Sequence, residues 1–239
     1  FISGSGNKKS FTLNNLKKIS RSLEQEQKRY SIFLSGGDTT FSKKLSFTIT
    51  TIGFSKKIVF RNKAKINDDI YVTGNLGDSY IGLQILKKKM SFNKYLNNYF
   101  KRKYFLPSLN IKLTKKLLSF ANTSIDISDG LFADLEKLIN KQKLSYKIYL
   151  NNIPVSKNVT KLINLSLIKK LSCVSKGDDY QILFTAPQSK SRIVGNTCKS
   201  LGIKISKIGK ICSEKQKSQI INEKNKKITL KNKGYFHTF

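Results

Sequence analysis

Only 14 of the 239 residues are acidic, against 46 lysines and arginines, so the places where carboxylates gather carry information. Three of them are short glycine-containing segments: Gly36-Gly37-Asp38-Thr39-Thr40, Asp126-Ile127-Ser128-Asp129-Gly130 and Gly177-Asp178-Asp179-Tyr180. A carboxylate beside glycines at a strand end can reach a hard cation while the bare backbone approaches a phosphate. Magnesium at nucleotide sites is held by a few carboxylates plus phosphate oxygens, not by an all-protein cage. The spacing of the second segment suits that chemistry. If Asp126 ends a strand and Asp129 caps the next helix, both carboxylates address one site. Ser128 then adds a hydroxyl, and free N–H groups at the helix start face an anion.

Plainer roles stand beside these. Asp129 alone reads as the N-cap of a helix over residues 131–140. Asp38 reads as an Asx-turn residue between strands, and Gly177-Asp178-Asp179 as a polar turn. His237, the sole histidine, lies two residues from the end, and no Ser/His/Asp or Cys/His arrangement is present. Gly74-Asn75-Leu76-Gly77-Asp78 lacks the Gly-Lys-Ser ending of a P-loop.

The elements that must position these segments follow from periodicity. Leu13, Leu16, Ile19 and Leu23 fall at helical spacing within residues 12–30. SIFL then reads as a buried strand, SGGDTT as a turn, and SFTITTIGF as a second strand rich in β-branched residues. A polar turn at residues 67–69 marks the expected domain boundary. IYVTG is a strand, followed by a helix over 78–89 and two helices broken near Pro107. TSIDI, SDG and LFADLEKLI read as strand, turn and helix. SYKIYL is a strand and LINLSLIKKL a helical stretch. QILFTA is a strand closed by Pro187, 189–201 a helix, and IKISKIGKI with the tail supplies the last strands, the Lys/Asn runs of 214–233 being a solvated turn region. Helices and strands alternate without regular βαβ spacing or repeats, which favours an α+β fold.

The formal charge of +32 suggests nucleic acid, but only five of the basic residues are arginine and the lysines are scattered through every segment. Readers of bases and phosphates lean on arginine's planar fork. No apolar run approaches the roughly 20 residues that cross a bilayer. Cys173, Cys198 and Cys212 are far apart, odd in number and expected to be buried and reduced, as in a cytosol. The expectation is a soluble cytoplasmic protein with no specific nucleic acid and no membrane partner.

Taken in order, GGDTT, FRNKAKINDDIYVTGNLGDSYIGL, SIDISDGL, KGDDYQILFTAP and KGYFHTF resemble thiamine-monophosphate kinases, within the aminoimidazole ribonucleotide synthase-like superfamily. The resemblance implies a homodimeric two-domain α+β enzyme. Residues 1–66 are the C-terminal half of an ATP- and metal-binding dimerisation domain. Residues 67–239 form the C-terminal α+β domain, a ferredoxin-like α/β sandwich. It implies ATP-dependent, magnesium-assisted phosphorylation of thiamine monophosphate to thiamine diphosphate, without a protein nucleophile. ATP falls to Gly37, Asp38, Arg61 and Ser128, magnesium to Asp38, Asp126 and Asp129, and thiamine phosphate to Asp178 and Tyr235. Asp178 stands where the family generally has a glutamate. Phe41, Leu106 and Asn110 replace arginines, and Gln181 replaces a glutamate. The family's earlier acidic segments fall ahead of Phe1, so the chain is expected to be N-terminally truncated, possessing part of the metal site, and an inactive fragment by itself. Two alternatives remain: another ATP-using superfamily member with a different acceptor, and a basic nucleic-acid-binding module.

Overall fold

A computed structural model describes residues 2–7, 9–230 and 234, in two compact units, 1–56 and 57–239. The units meet between Lys56 and Lys57, whereas the sequence puts the domain boundary at residue 67.

In the first unit, β1 (Ile2–Gly6) is followed by helix α1 (Leu13–Tyr30), β2 (Gly37–Phe41) and β3 (Ser46–Ile49). Thr12 caps α1 by accepting a hydrogen bond from the Asn15 N–H. β1 is the middle strand, parallel to β2 and antiparallel to β3. This corrects two expectations. SIFL is not a strand: Ser31 takes a left-handed conformation to end α1, and Ile32, Phe33 and Leu34 are exposed. GGDTT is not a turn: from Gly37 onward it forms β2. The helix already reverses the chain, so the glycines need not, and the returning segment enters parallel to β1. Both β2 and β3 are exposed along their whole length.

The second unit is built on a seven-stranded sheet ordered β10-β9-β6-β8-β4-β7-β5. The strands are β4 (Asp69–Thr73), β5 (Thr123–Asp126), β6 (Leu144–Tyr149), β7 (Ile182–Ala186), β8 (Ile205–Ser213), β9 (Gln219–Ile221) and β10 (Lys227–Ile228). All neighbouring pairs are antiparallel except β6 with β9. The helices are α2 (Asp78–Leu86), α3 (Lys94–Phe105), α4 (Ile111–Leu117), α5 (Leu131–Leu138), α6 (Lys157–Asn164), α7 (Lys170–Val174) and α8 (Ser191–Ser200).

β4 is buried at every position because both faces of the sheet are covered. Ile70 and Val72 pack in one cluster with Leu131, Leu135 and Leu138 of α5. Tyr71 packs in another with Leu113 and Leu117 of α4 and Val194 and Cys198 of α8. A third cluster joins Ile81, Ile85, Phe100, Val159 and Leu162 of α2, α3 and α6. LINLSLIKKL is divided between α6 and α7, with Ser166 in a left-handed turn between them. The expected solvated turn region instead contains the β9–β10 hairpin, whose Ile220 and Ile221 are buried. In the polar turn at 67–69, Asp68 and Asp69 are buried. Asp68 accepts from Asn122 Nδ2 at 2.8 Å and Thr185 Oγ1 at 2.8 Å, and Asp69 pairs with Lys207 at 2.8 Å.

Phe184 is fully buried, stacked on Tyr71 with ring centroids 5.3 Å apart and tilted against Phe120 at 5.5 Å. Phe184→Ala is expected to cost about 3–5 kcal/mol of unfolding free energy, read from denaturant titration. A loss below ~1 kcal/mol would show that this packing is not as described.

Candidate functional site

β5 ends at Asp126 and α5 starts at Leu131, so residues 127–130 form the loop that carries Ser128 and Asp129. Asp129 does not cap α5. The N-cap position is Gly130, at φ 123°, and it makes no side-chain capping bond. The cap comes from inside the helix. One oxygen of buried Asp134, Oδ2, accepts from the N–H groups of Ser128 at 2.9 Å, Asp129 at 2.9 Å and Gly130 at 3.1 Å. The N–H groups of the loop that leads into the helix are therefore spent on Asp134. Lys137, one turn on, donates to Asp134 Oδ1 at 3.2 Å and contacts Asp129 Oδ2. Burial opposes the charge on Lys137, but the two carboxylates outweigh it and raise its pKa. Neither Asp134 nor Lys137 was singled out in the sequence. The only signal was an acidic residue in the first turn of an amphipathic helix, a commonplace preference.

The Gly177–Tyr180 segment lies directly against this loop. The Asp178 N–H donates to the Ser128 carbonyl at 2.9 Å, and the Tyr180 N–H to the Ile127 carbonyl at 2.9 Å. Gly177 is required by that approach, since a Cβ there would lie 1.7 Å from the Ser128 carbonyl oxygen. Asp178 is half-buried in a left-handed conformation, φ 68°. Burial raises its pKa and the charge of Asp129 raises it further, with Lys87 opposing. Asp178, Asp126 and Asp129 all act on the Tyr180 hydroxyl, whose pKa is raised by burial first and by these charges next. The second unit thus gathers Asp126, Ser128, Asp129 and Asp178 on two fused loops. Among the described residues no three His, Cys, Asp or Glu side chains lie close enough to hold a metal ion by themselves. A magnesium ion on this surface would take the rest of its shell from phosphate and water, as it commonly does.

Asp179 points the other way. It is buried, accepts from the Gly77 N–H at 2.8 Å and lies 3.5 Å from the Ser79 nitrogen, closing the start of α2. Asp78 beside it is buried too, accepting from Ser156 Oγ at 2.6 Å and Tyr99 Oη at 3.1 Å. The remaining positions are described within their own units. Gly37 and Asp38 lie on exposed β2, where the Asp38 carboxylate accepts from the Thr39 N–H at 2.7 Å. Arg61 is exposed in an irregular segment before β4. Tyr235 and His237 lie outside the described residues.

No family model matches the chain. It is 36% identical over 226 residues to the thiamine-monophosphate kinase of Buchnera aphidicola subsp. Schizaphis graminum, covering 93% of this chain and 69% of that protein. The chain belongs to the thiamine-monophosphate kinase family. The Haemophilus influenzae thiamine-monophosphate kinase is 34% identical over 196 residues, covering 81% of this chain and 59% of its own. In three dimensions the chain resembles the crystal structure of the Aquifex aeolicus thiamine monophosphate kinase, with a TM-score of 0.77 and 22% identity over 95% of this chain and 73% of that one. A further solved structure, AaThiL complexed with AMPPCP and TMP, gives a TM-score of 0.77 at 22% identity, covering 99% of this chain and 72% of that one. Escherichia coli HypE gives 0.71 at 17% identity, covering 96% and 72%. These place the fold as the aminoimidazole ribonucleotide synthase-like α+β fold.

Two departures from the family pattern meet in space. Asn110 Nδ2 donates to Gln181 Oε1 at 2.8 Å, and that oxygen also accepts from Thr73 Oγ1 at 3.0 Å. Gln181 Nε2 donates to the Ser108 carbonyl at 3.0 Å. Where the family tends to have an arginine and a glutamate, this chain has two neutral amides that satisfy one another. They line a cavity of ≈ 120 Å³ together with Asn75, Asp78, Lys103 and Asp179.

Burial raises the Asp179 pKa to about 8, with the Asp78 charge also raising it. A carboxyl raised in the folded state binds its proton there while the unfolded chain has lost it. Its contribution to stability is therefore full below about pH 4 and falls as pH rises toward 8. Asp179→Asn is expected to flatten that part of the stability–pH curve, measured by urea midpoints between pH 4 and 8. An unchanged slope would contradict the assignment.

Proposed function

We propose that this chain transfers the γ-phosphoryl group of ATP to the phosphate of thiamine monophosphate, giving thiamine diphosphate. The observation that carries the reading is the fusion of the Asp126–Gly130 and Gly177–Tyr180 loops, which holds the charge of Asp129 against Asp178. Like charges held together by backbone contacts, without a cation of matching valence, suit a divalent ion and the phosphates it carries. Lys137 on Asp129 already shows that positive charge is favoured there. Membership of the family supplies the acceptor.

In this reading Asp38, Asp126 and Asp129 are magnesium ligands. Gly37, Arg61 and Ser128 contact ATP, and Asp178 and Tyr235 contact thiamine phosphate. Magnesium, when bound, screens the two anions and polarises the transferring group. A phosphate oxygen of thiamine monophosphate is the nucleophile and ADP leaves, so the protein binds and orients and no side chain need be acylated or phosphorylated. We further propose a cytoplasmic homodimer. The exposed apolar side chains of the first unit's sheet, Phe41 at 81% and Ile49 at 64%, support a partner copy. The three buried free cysteines suit a reducing compartment. Among the described residues no helix is long and apolar enough to cross a membrane. The domain division we keep is residues 1–66 and 67–239.

The test is chromatographic detection of thiamine diphosphate from thiamine monophosphate, ATP and magnesium, with the family's earlier acidic segments supplied ahead of Phe1. Asp126 is exposed at the end of β5, so Asp126→Asn is expected to lower turnover by at least about 100-fold with an unchanged melting temperature. Product formed equally well by that variant would remove Asp126 from the site, and no product with the family's earlier acidic segments supplied ahead of Phe1 would overturn the proposed activity.

A further inference from the structure

Among the described residues, Lys137 is the one cation paired with a carboxylate of the fused loops. Its Nζ bridges Asp129 Oδ2 and Asp134 Oδ1, with side-chain exposures of 43% for the lysine, 29% for Asp129 and 1% for Asp134. The two ends of this bridge differ in kind. Asp134 cannot move, because its other oxygen is held by three backbone N–H groups. Asp129 is partly open to solvent. Lys137 stands on α5, eight residues beyond Asp129, on a flexible and partly exposed stem.

We infer that Lys137 is an intramolecular counter-cation for Asp129, which a divalent ion must displace to bind. The inference rests on the proposed role of Asp129 as a magnesium ligand and goes beyond it by naming what occupies that carboxylate when metal is absent. The geometry supplies the exchange. When the ion takes Asp129, the ammonium keeps its second partner, Asp134, and is not stranded. The loop itself does not move, since its N–H groups remain on Asp134. Lys137 therefore lowers apparent metal affinity and spares the loop from like-charge repulsion between Asp129 and Asp178 while metal is absent. A partly exposed ion pair is weak, so the competition is worth a few-fold in affinity and not orders of magnitude.

Lys137→Met keeps the stem and removes the charge, and Lys137→Arg keeps the charge. Manganese is the probe, added to the full chain with a non-hydrolysable ATP analogue, and its binding is followed by paramagnetic broadening of the backbone amides of residues 128–130. Lys137→Met is expected to tighten manganese binding about three- to fivefold, and Lys137→Arg to return it toward the unaltered value. Lys87→Met is the control for a general loss of positive charge, because Lys87 acts on Asp178. Equal tightening by Lys87→Met, or no tightening by Lys137→Met, would overturn the inference. Asp129→Asn separates the two readings. If that variant binds manganese as well as the unaltered chain does, Asp129 is no ligand and the proposed role fails. If it loses binding while Lys137→Met changes nothing, only the counter-cation fails.

Discussion

The carboxylate of Asp134 is the fixed point of the second unit's loop surface. One oxygen accepts three consecutive backbone N–H groups, and the side chain is almost wholly removed from water. Those N–H groups belong to the loop and N-cap that lead into α5, and an oxygen inside the helix satisfies them. Removing that oxygen would leave three donors without partners beside a buried helix, at a cost of about 1–3 kcal/mol for each one left unpaired. With the loop held, Ser128 and Asp129 have a fixed location. The Ile127 and Ser128 carbonyls then face outward to receive the Tyr180 and Asp178 N–H groups. The second acidic segment is therefore positioned by the first, and both are positioned by one buried charge.

The same economy governs the other acidic pair. Asp178 and Asp179 are adjacent in sequence but serve opposite purposes, because the left-handed backbone at Asp178 and at Tyr180 turns successive side chains to different surroundings. Asp178 faces the loop bearing Asp129, while Asp179 is drawn under Gly77 at the start of α2. Burial makes Asp179 a weak acid and a structural tie. A carboxyl in that position suits holding a helix, and the partly solvated one beside it suits meeting a ligand.

Much of this was legible in the sequence. The helix 12–30, the break at Pro107, the strand–loop–helix order around Asp126 and the strand closed by Pro187 all follow from periodicity and from residues with strong local preferences. The errors came where tertiary pairing overrode local signals. GGDTT carries turn residues, yet α1 had already reversed the chain and left room for a parallel strand. SIFL is apolar enough for a strand, but β1 has both its neighbours in β2 and β3, so no place in that sheet remains beside it. Asp129 has the residue type of an N-cap, but the cap position falls on Gly130 and the loop is held by Asp134. A through-space competition of that kind leaves no mark in a linear pattern. The contact between Asn110 and Gln181, 71 residues apart, was visible only as two separate departures from the family.

The central claim is that the acidic loop is held in place before any ligand arrives, by Asp134. Amide hydrogen exchange on the ligand-free chain tests it most directly, because an N–H bonded to a buried carboxylate exchanges only when the structure around it opens. The amides of Ser128, Asp129 and Gly130 should be protected together, with opening free energies approaching those of the β4 and β7 core amides. Exchange of all three at the rate of an exposed loop, while β4 and β7 stay protected, would contradict the account.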